Sequence, residues 1–176
     1  MMVHSAVLGF TLLSLVAQIK GASSKNDIST NFTFSRWIDS VISNPDGDVL
    51  TPDEALAAWN NTQTTTTSHG RLEKRYGCNT IPGTEAPISD AVWCINNLAS
   101  RGSQKCTAAA VVHFCTHGRA RIMGVAGGIG STTSSCNNIA RAAGTVMDHC
   151  TRADNTVQGY EYALGNINMA VWIKRP

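Results

Sequence analysis

The stretch that decides the fold of this chain is Cys136-Asn-Asn-Ile-Ala-Arg-Ala-Ala-Gly-Thr-Val-Met-Asp-His-Cys150. Its apolar positions recur at helical spacing and both cysteines fall on the apolar face, so the pattern predicts a helix packed against a core. The helical rise places the two cysteines about 21 Å apart, which is too far for one disulfide bond. Each cysteine must therefore tie this helix to another part of the chain.

The sequence around this helix predicts one further helix and four strands. The other helix begins at Pro87 and ends before Gly102, and Ser131–Thr133 offer N-caps for the helix that contains Cys136. Alternating apolar residues predict strands at 108–115, 119–126, 157–164 and 167–173, the last two joined by Gly165-Asn166 in a type II′ turn. The order αββαββ predicts an α+β fold in which two helices pack on one face of an antiparallel sheet, as in a disulfide-stapled ferredoxin-like sandwich.

The cysteines and the glycosylation sequons lie on opposite sides of the dibasic pair Lys74-Arg75. The sequons, at Asn31 and Asn60, precede the pair. All six cysteines follow it, at Cys78, Cys94, Cys106, Cys115, Cys136 and Cys150. No Cys-x-x-Cys motif occurs among them, so we expect disulfide bonds rather than a metal site, with the pairing left open. We expect no cofactor.

This partition predicts a secreted precursor. The apolar run 6–17 is too short to span a bilayer and predicts a signal peptide at 1–22. Residues 23–75 then form a helical pro-region that either assists folding or masks the mature domain, the alternative being an uncleaved extension. Its helices are predicted at 34–42 and after Thr51, where Thr51 and Glu54 can form a capping box. Cleavage after Lys74-Arg75 by a processing protease of the secretory pathway would release residues 76–176.

The signal peptide, the dibasic site and the six-cysteine domain resemble those of fungal secreted effectors and killer toxins. The segment 136–150, followed by the strands that contain Gly159 and Gly165-Asn166, is most similar to the KP4/KP6 killer-toxin-like and Ecp2-like groups. The resemblance implies a secreted toxin or virulence effector that acts on another cell, and our first hypothesis is that it acts by binding. Its partner would be a host or competitor protein, at the cell surface or inside the cell, a glycan or a membrane. No functional residue is carried over by the resemblance.

The candidate contact site is a surface. If Ile122 and the alternate apolar residues of 167–173 face the helices, the opposite face of the sheet carries a cationic and aromatic set: Arg119, Arg121, Trp172 and Lys174. An ordinary solvated face is the alternative. The same alternation turns Cys115 outward with His113, which conflicts with a buried disulfide.

Two other functions remain open. A ribonuclease-like hydrolase would use His113 and Glu161 as acid and base, with Arg119 and Arg121 binding phosphate. A wall-associated structural protein is the third possibility. The glycine-rich run 124–132 lacks the lysine of a phosphate loop and predicts a strand-to-helix turn. Because the basic excess of residues 76–176 is mild, we expect no nucleic-acid partner, and we expect binding rather than catalysis.

Overall fold

The computed structural model describes residues 25–62 and 76–176, called here the leader segment and the cysteine half. The predicted signal peptide and the Lys74-Arg75 pair lie outside these ranges. The described residues form an α+β structure with antiparallel sheets, as predicted. Its helices are α1 (Lys25–Thr30), α2 (Phe34–Ser43), α3 (Pro52–Thr62), α4 (Ile88–Ser100) and α5 (Cys136–Cys150). None of these helices is both long and apolar enough to cross a membrane.

The leader helices begin where the sequence places their caps. Thr33 caps α2, its hydroxyl accepting a hydrogen bond from the Arg36 N–H at 3.1 Å. The predicted capping box of α3 is confirmed, because Thr51 N–H donates to Glu54 Oε2 at 2.7 Å and Glu54 N–H donates to Thr51 Oγ1 at 3.3 Å. These bonds hold the pKa of the Glu54 carboxyl below its ordinary value.

Within residues 25–62 and 76–176, the strands assemble into one sheet of five strands and two sheets of two. The five-stranded sheet has the order β1-β8-β9-β5-β4, while β2 pairs with β7 and β3 pairs with β6. The bounds are β1 Gly77–Cys78, β2 Ala86–Pro87, β3 Lys105–Ala109, β4 Val111–His117, β5 Ala120–Ala126, β6 Ser131–Ser135, β7 Thr156–Val157, β8 Gly159–Ala163 and β9 Asn166–Lys174.

Three local predictions were wrong. The strand predicted at 108–115 is divided at Ala110, whose φ of 68° turns the chain between β3 and β4. Residues 131–135 form strand β6 against β3, so the glycine-rich run leads to a strand, and Ser135 caps α5 instead of Ser131–Thr133. The loop between β8 and β9 is Leu164-Gly165, so Gly165 (φ 73°) occupies its second position rather than its first.

The helices and the five-stranded sheet form successive layers with the leader segment outermost. Helix α4 contacts β4 and β5, and α5 contacts β8 and β9. On the leader side, α2 contacts both α4 and α5, and α3 contacts α4. The buried side chains of the leader segment and the cysteine half belong to one continuous core. The two parts are therefore packed as one unit, although they differ in cysteine content.

All six cysteines are paired, and α5 is tied at both ends as predicted. Cys136 bonds Cys106 of β3, Cys150 bonds Cys78 of β1, and the remaining pair is Cys94–Cys115. The conflict over Cys115 is resolved by a register shift in β4 between His113 and Cys115. This bulge leaves both Phe114 and Cys115 buried, so Cys115 reaches α4 while His113 stays exposed.

Gln158 is a fully buried polar side chain in the segment between β7 and β8. Within the described ranges, neither its Nε2 nor its Oε1 has a hydrogen-bond partner. Because a buried amide without partners is destabilising, Gln158→Met is expected to raise the free energy of unfolding by about 1–2 kcal/mol. Urea denaturation measures the change. The exposed residue Gln104 provides the control, since Gln104→Met should change stability by less than about 0.5 kcal/mol. A loss of stability in Gln158→Met would contradict the prediction.

Candidate functional surface

One row of side chains crosses four strands on the side of the sheet that faces away from α4 and α5. His113 pairs with Met123, Met123 pairs with Trp172, and Trp172 pairs with Tyr160. Directly paired residues share a face, and the neighbouring residues in β5 and β9, such as Ile122 and Ile173, are fully buried on the other face. We call the side with this row the open face.

The open face is aromatic at its β8–β9 side. The rings of Tyr160 and Trp172 lie 4.6 Å apart between centroids, and Tyr162 meets Tyr160 edge-on at 6.1 Å. A side chain at Gly77 would overlap the Tyr160 ring, so glycine lets this ring lie over the backbone of β1. These contacts hold the rings in a fixed arrangement at the surface, which suits them to contact another molecule.

The open face is cationic beside this aromatic cluster. Arg121 Nη1 lies 3.4 Å from His113 Nε2, and Arg121 pairs across the sheet with Lys174. Among the described residues, the buried Nε of Arg121 has no hydrogen-bond partner. The paired positions that complete the face between β4 and β9 are Thr116, Val111, Val125 and Ala170, none of them acidic. A ligand with negative charge and apolar or ring surface would match this face.

Three of the four predicted surface residues lie together here. Arg121, Trp172 and Lys174 are on the open face, whereas Arg119 lies in the turn before β5, where its N–H donates to Asp90 Oδ2 at 2.8 Å. The candidate set did not include the other open-face residues Met123, Tyr160 and Tyr162, and it left out His113 although the alternation had placed that residue outward. The alternation of Tyr160-Glu161-Tyr162 was a signal for the tyrosines, but their position beside Trp172 depends on the strand order.

The candidate hydrolase residues are not brought together. Glu161 pairs with the buried Val171 and lines a groove of about 210 Å³ beside Arg141 and Thr145 on the helix side of the sheet. His113 lies on the open face, so the sheet separates the proposed acid from the proposed base.

The other histidines of the cysteine half have packing roles. His117 stacks on Trp93 of α4 with ring centroids 4.2 Å apart. His149 stacks on Tyr76 at 4.2 Å, and its Nδ1 lies 2.8 Å from the Thr145 carbonyl oxygen. Both rings are thereby held against neighbouring side chains rather than in the Glu161 groove.

A second exposed apolar group lies at the end of the sheet. Leu164 and Ile167 are exposed in the β8–β9 hairpin, and Ile129 is exposed in the loop before β6. The hairpin and β6 are linked by Asn166 Nδ2, which donates to Thr132 Oγ1 at 2.8 Å. Leu164 and Ile167 line the same groove as Glu161 on the helix side of the sheet, so this apolar group is separate from the open face.

The fold and the open face define a disulfide-stabilised α+β protein whose candidate site is a binding surface. The chain belongs to the family described as Domain of unknown function (DUF8794), whose model matches residues 73–175. The matched region begins just before Lys74 and contains residues 76–175 of the cysteine half, with all six cysteines. No curated protein and no solved structure matches the chain.

Proposed function

We propose that this chain is the precursor of a secreted, toxin-like or effector protein that acts on another cell by binding. Cleavage after Lys74-Arg75 releases residues 76–176, and glycans attach at Asn31 and Asn60. The observation that carries the proposal is the open face, where aromatic rings and cations share one exposed side of the sheet. Apart from β1 and the two-stranded pairs β2–β7 and β3–β6, the element order of the cysteine half is αββαββ. Together with the strand order β8-β9-β5-β4, this supports a permuted ferredoxin-like sandwich.

Several features support secretion and maturation. The three disulfide bonds close within residues 76–176, so the cut removes no cysteine from its partner. Cys78 follows the cut by a few residues and is bonded to Cys150, which would hold the new N-terminus in place. Disulfide bonds persist in oxidising compartments such as the outside of the cell. N-terminal sequencing of the secreted protein tests this step, and an intact chain lacking a terminus at Tyr76 would contradict it.

The positions of the candidate residues favour a binding function over the alternative of a hydrolase. A hydrolase would need its acid and base in one cleft, but His113 and Glu161 lie on opposite sides of the sheet. A binding protein needs only an exposed patch with anchoring aromatic residues and complementary charge, which the open face supplies. The partner class comprises membranes, glycans and proteins with anionic groups.

Trp172→Ala is expected to weaken binding by about thirtyfold, because a central aromatic anchor of an interface contributes about 2 kcal/mol or more. Binding of labelled mature protein to intact fungal and plant cells, to a glycan array and to vesicles containing phosphatidylserine measures the effect. Trp93→Ala is the matched control, since Trp93 is an exposed tryptophan on α4, away from the open face. Equal effects of the two substitutions, or no effect of Trp172→Ala on any bound probe, would contradict the proposal.

A further inference from the structure

The N-terminus of leader helix α2 is capped by a residue of the cysteine half. Asp148 of α5 accepts hydrogen bonds from the first two backbone N–H groups of α2, those of Phe34 at 2.6 Å and Ser35 at 3.0 Å. A carboxylate at this position satisfies free donors and interacts favourably with the helix dipole. Desolvation raises the pKa of the Asp148 carboxyl, while the hydrogen bonds from Ser35 and Phe34 oppose that shift.

Gly144 lets the backbone of α2 approach α5 closely. A Cβ atom at Gly144 would lie 3.3 Å from Ser35 Cα and 3.4 Å from Ser35 N, tighter than ordinary contact. Glycine in the middle of a helix lowers its stability relative to alanine, so this position carries a cost to α5 itself. The cost is consistent with a surface shaped for another helix.

The contact between α2 and the cysteine half has an apolar centre and a charged edge. Phe34, Trp37 and Ile38 are fully buried in the core shared with α4 and α5. At the edge, Arg141 Nε of α5 lies 2.8 Å from Asp39 Oδ1 of α2. A buried apolar centre with a polar rim is the arrangement of a stable protein interface.

This interface contains no covalent link. The leader segment has no cysteine, and every disulfide bond joins residues of the cysteine half. Only the peptide chain of residues 63–75 connects the two parts. Helix α2 is short, and helices of that length are marginal in water without tertiary contacts. The α4–α5 surface therefore supplies the contacts that keep it helical.

We propose that the α2-facing surface of α4 and α5 is a binding site for a capped amphipathic helix, and that residues 25–62 remain on it as a second subunit after the chain is cut. The leader segment is thus a retained partner of the cysteine half, with Asp148 and Gly144 as the residues that select it. The formation of this two-subunit protein in the organism rests on the proposed cleavage at Lys74-Arg75. The leader segment contacts the helices, which lie on the side of the sheet opposite to the open face, so it would not compete with a partner bound to the open face.

The experiment uses the full chain with Lys74→Ala and Arg75→Ala, and with a site for a sequence-specific protease inserted in the segment 64–67. Complete cutting is verified by mass under denaturing conditions. The two fragments are expected to co-elute in gel filtration at about 1 μM and to appear as one complex by native mass spectrometry. Separate elution of the fragments would overturn the proposal. Because this cut is engineered, the result does not depend on whether Tyr76 is the natural N-terminus.

Two variants of α5 test the selecting residues in the same cut chain. Asp148→Ala is expected to raise the dissociation constant of the fragments about tenfold, in the range of lost helix caps. Gly144→Leu is expected to raise it further by blocking the close approach of Ser35. Asp53→Ala, which removes an exposed carboxylate in the first turn of α3, is the control and should leave the dissociation constant unchanged. Unchanged association in both α5 variants would overturn the assigned roles, and a circular dichroism spectrum like that of the original cut chain verifies that each variant is folded.

Discussion

Trp37→Ala in the uncut chain is expected to lower the free energy of unfolding by about 3–5 kcal/mol, although Trp37 lies outside the disulfide-bonded half. The indole is fully buried in the shared core, and its Nε1 donates to the Leu50 carbonyl oxygen at 2.7 Å. Alanine would leave a large cavity and a buried carbonyl without its donor. Because the core is continuous, the cysteine half should lose stability together with the leader segment.

Urea denaturation at constant pH, followed by circular dichroism, measures this loss. A single transition with a lower midpoint is the expected result for Trp37→Ala. Trp93→Ala serves as the control, since Trp93 is 42% exposed and its removal should cost about 1 kcal/mol or less. Two transitions, with the later one unchanged from that of the original chain, would show that the leader segment unfolds separately and would contradict the expectation.

The sequence predicted α2, α3, α4 and the body of α5 because their signals are local, whereas it did not predict α1 and placed the N-cap of α5 too early. The spacing of Cys136 and Cys150 on one face defined α5, and Thr51 with Glu54 defined the start of α3. Both signals depend on residues within a few turns of each other. The α+β class and the double attachment of α5 followed from them.

The sequence did not predict features that depend on the partner strand. The bulge that buries Cys115 becomes visible only when β4 is paired with β5. Strand β6 is composed of serine and threonine and lacks apolar alternation, so its residues Ser131–Thr133 were interpreted as helix caps. Its strand conformation is set by pairing with β3, since Thr107 and Thr133 meet at 2.8 Å between their hydroxyl oxygens.

The candidate site was predictable only in part for the same reason. Alternation along one strand placed Trp172 and Lys174 outward, but it did not identify their neighbours in other strands. The contact between Tyr160 and Trp172 requires the order in which β8 and β9 pair. Capping of α2 by Asp148 joins residues far apart in the chain, and no local sequence pattern predicts such a contact.

Replacing Cys78 and Cys150 together with alanine is expected to cost about 4 kcal/mol, the largest loss among the three disulfide bonds. This bond closes the longest loop, with a sequence separation of 72. In the chain-entropy model, a longer loop gives the denatured chain more freedom when its cross-link is removed. The bond also attaches the C-terminal end of α5 to edge strand β1, so its loss should weaken the pairing of Gly77 and Cys78 with β8.

The matched control is the double replacement of Cys94 and Cys115, whose sequence separation is 21 and whose expected cost is about 3 kcal/mol. Urea denaturation of both variants, with intact mass confirming the two remaining disulfide bonds, measures the difference. A larger loss for the Cys94–Cys115 variant would contradict the loop-length argument and would indicate that burial of the sulfur atoms decides the order. Hydrogen exchange at Gly77 and Tyr160 separates the two causes, because only loss of Cys78–Cys150 should release β1 from β8 without disturbing β4.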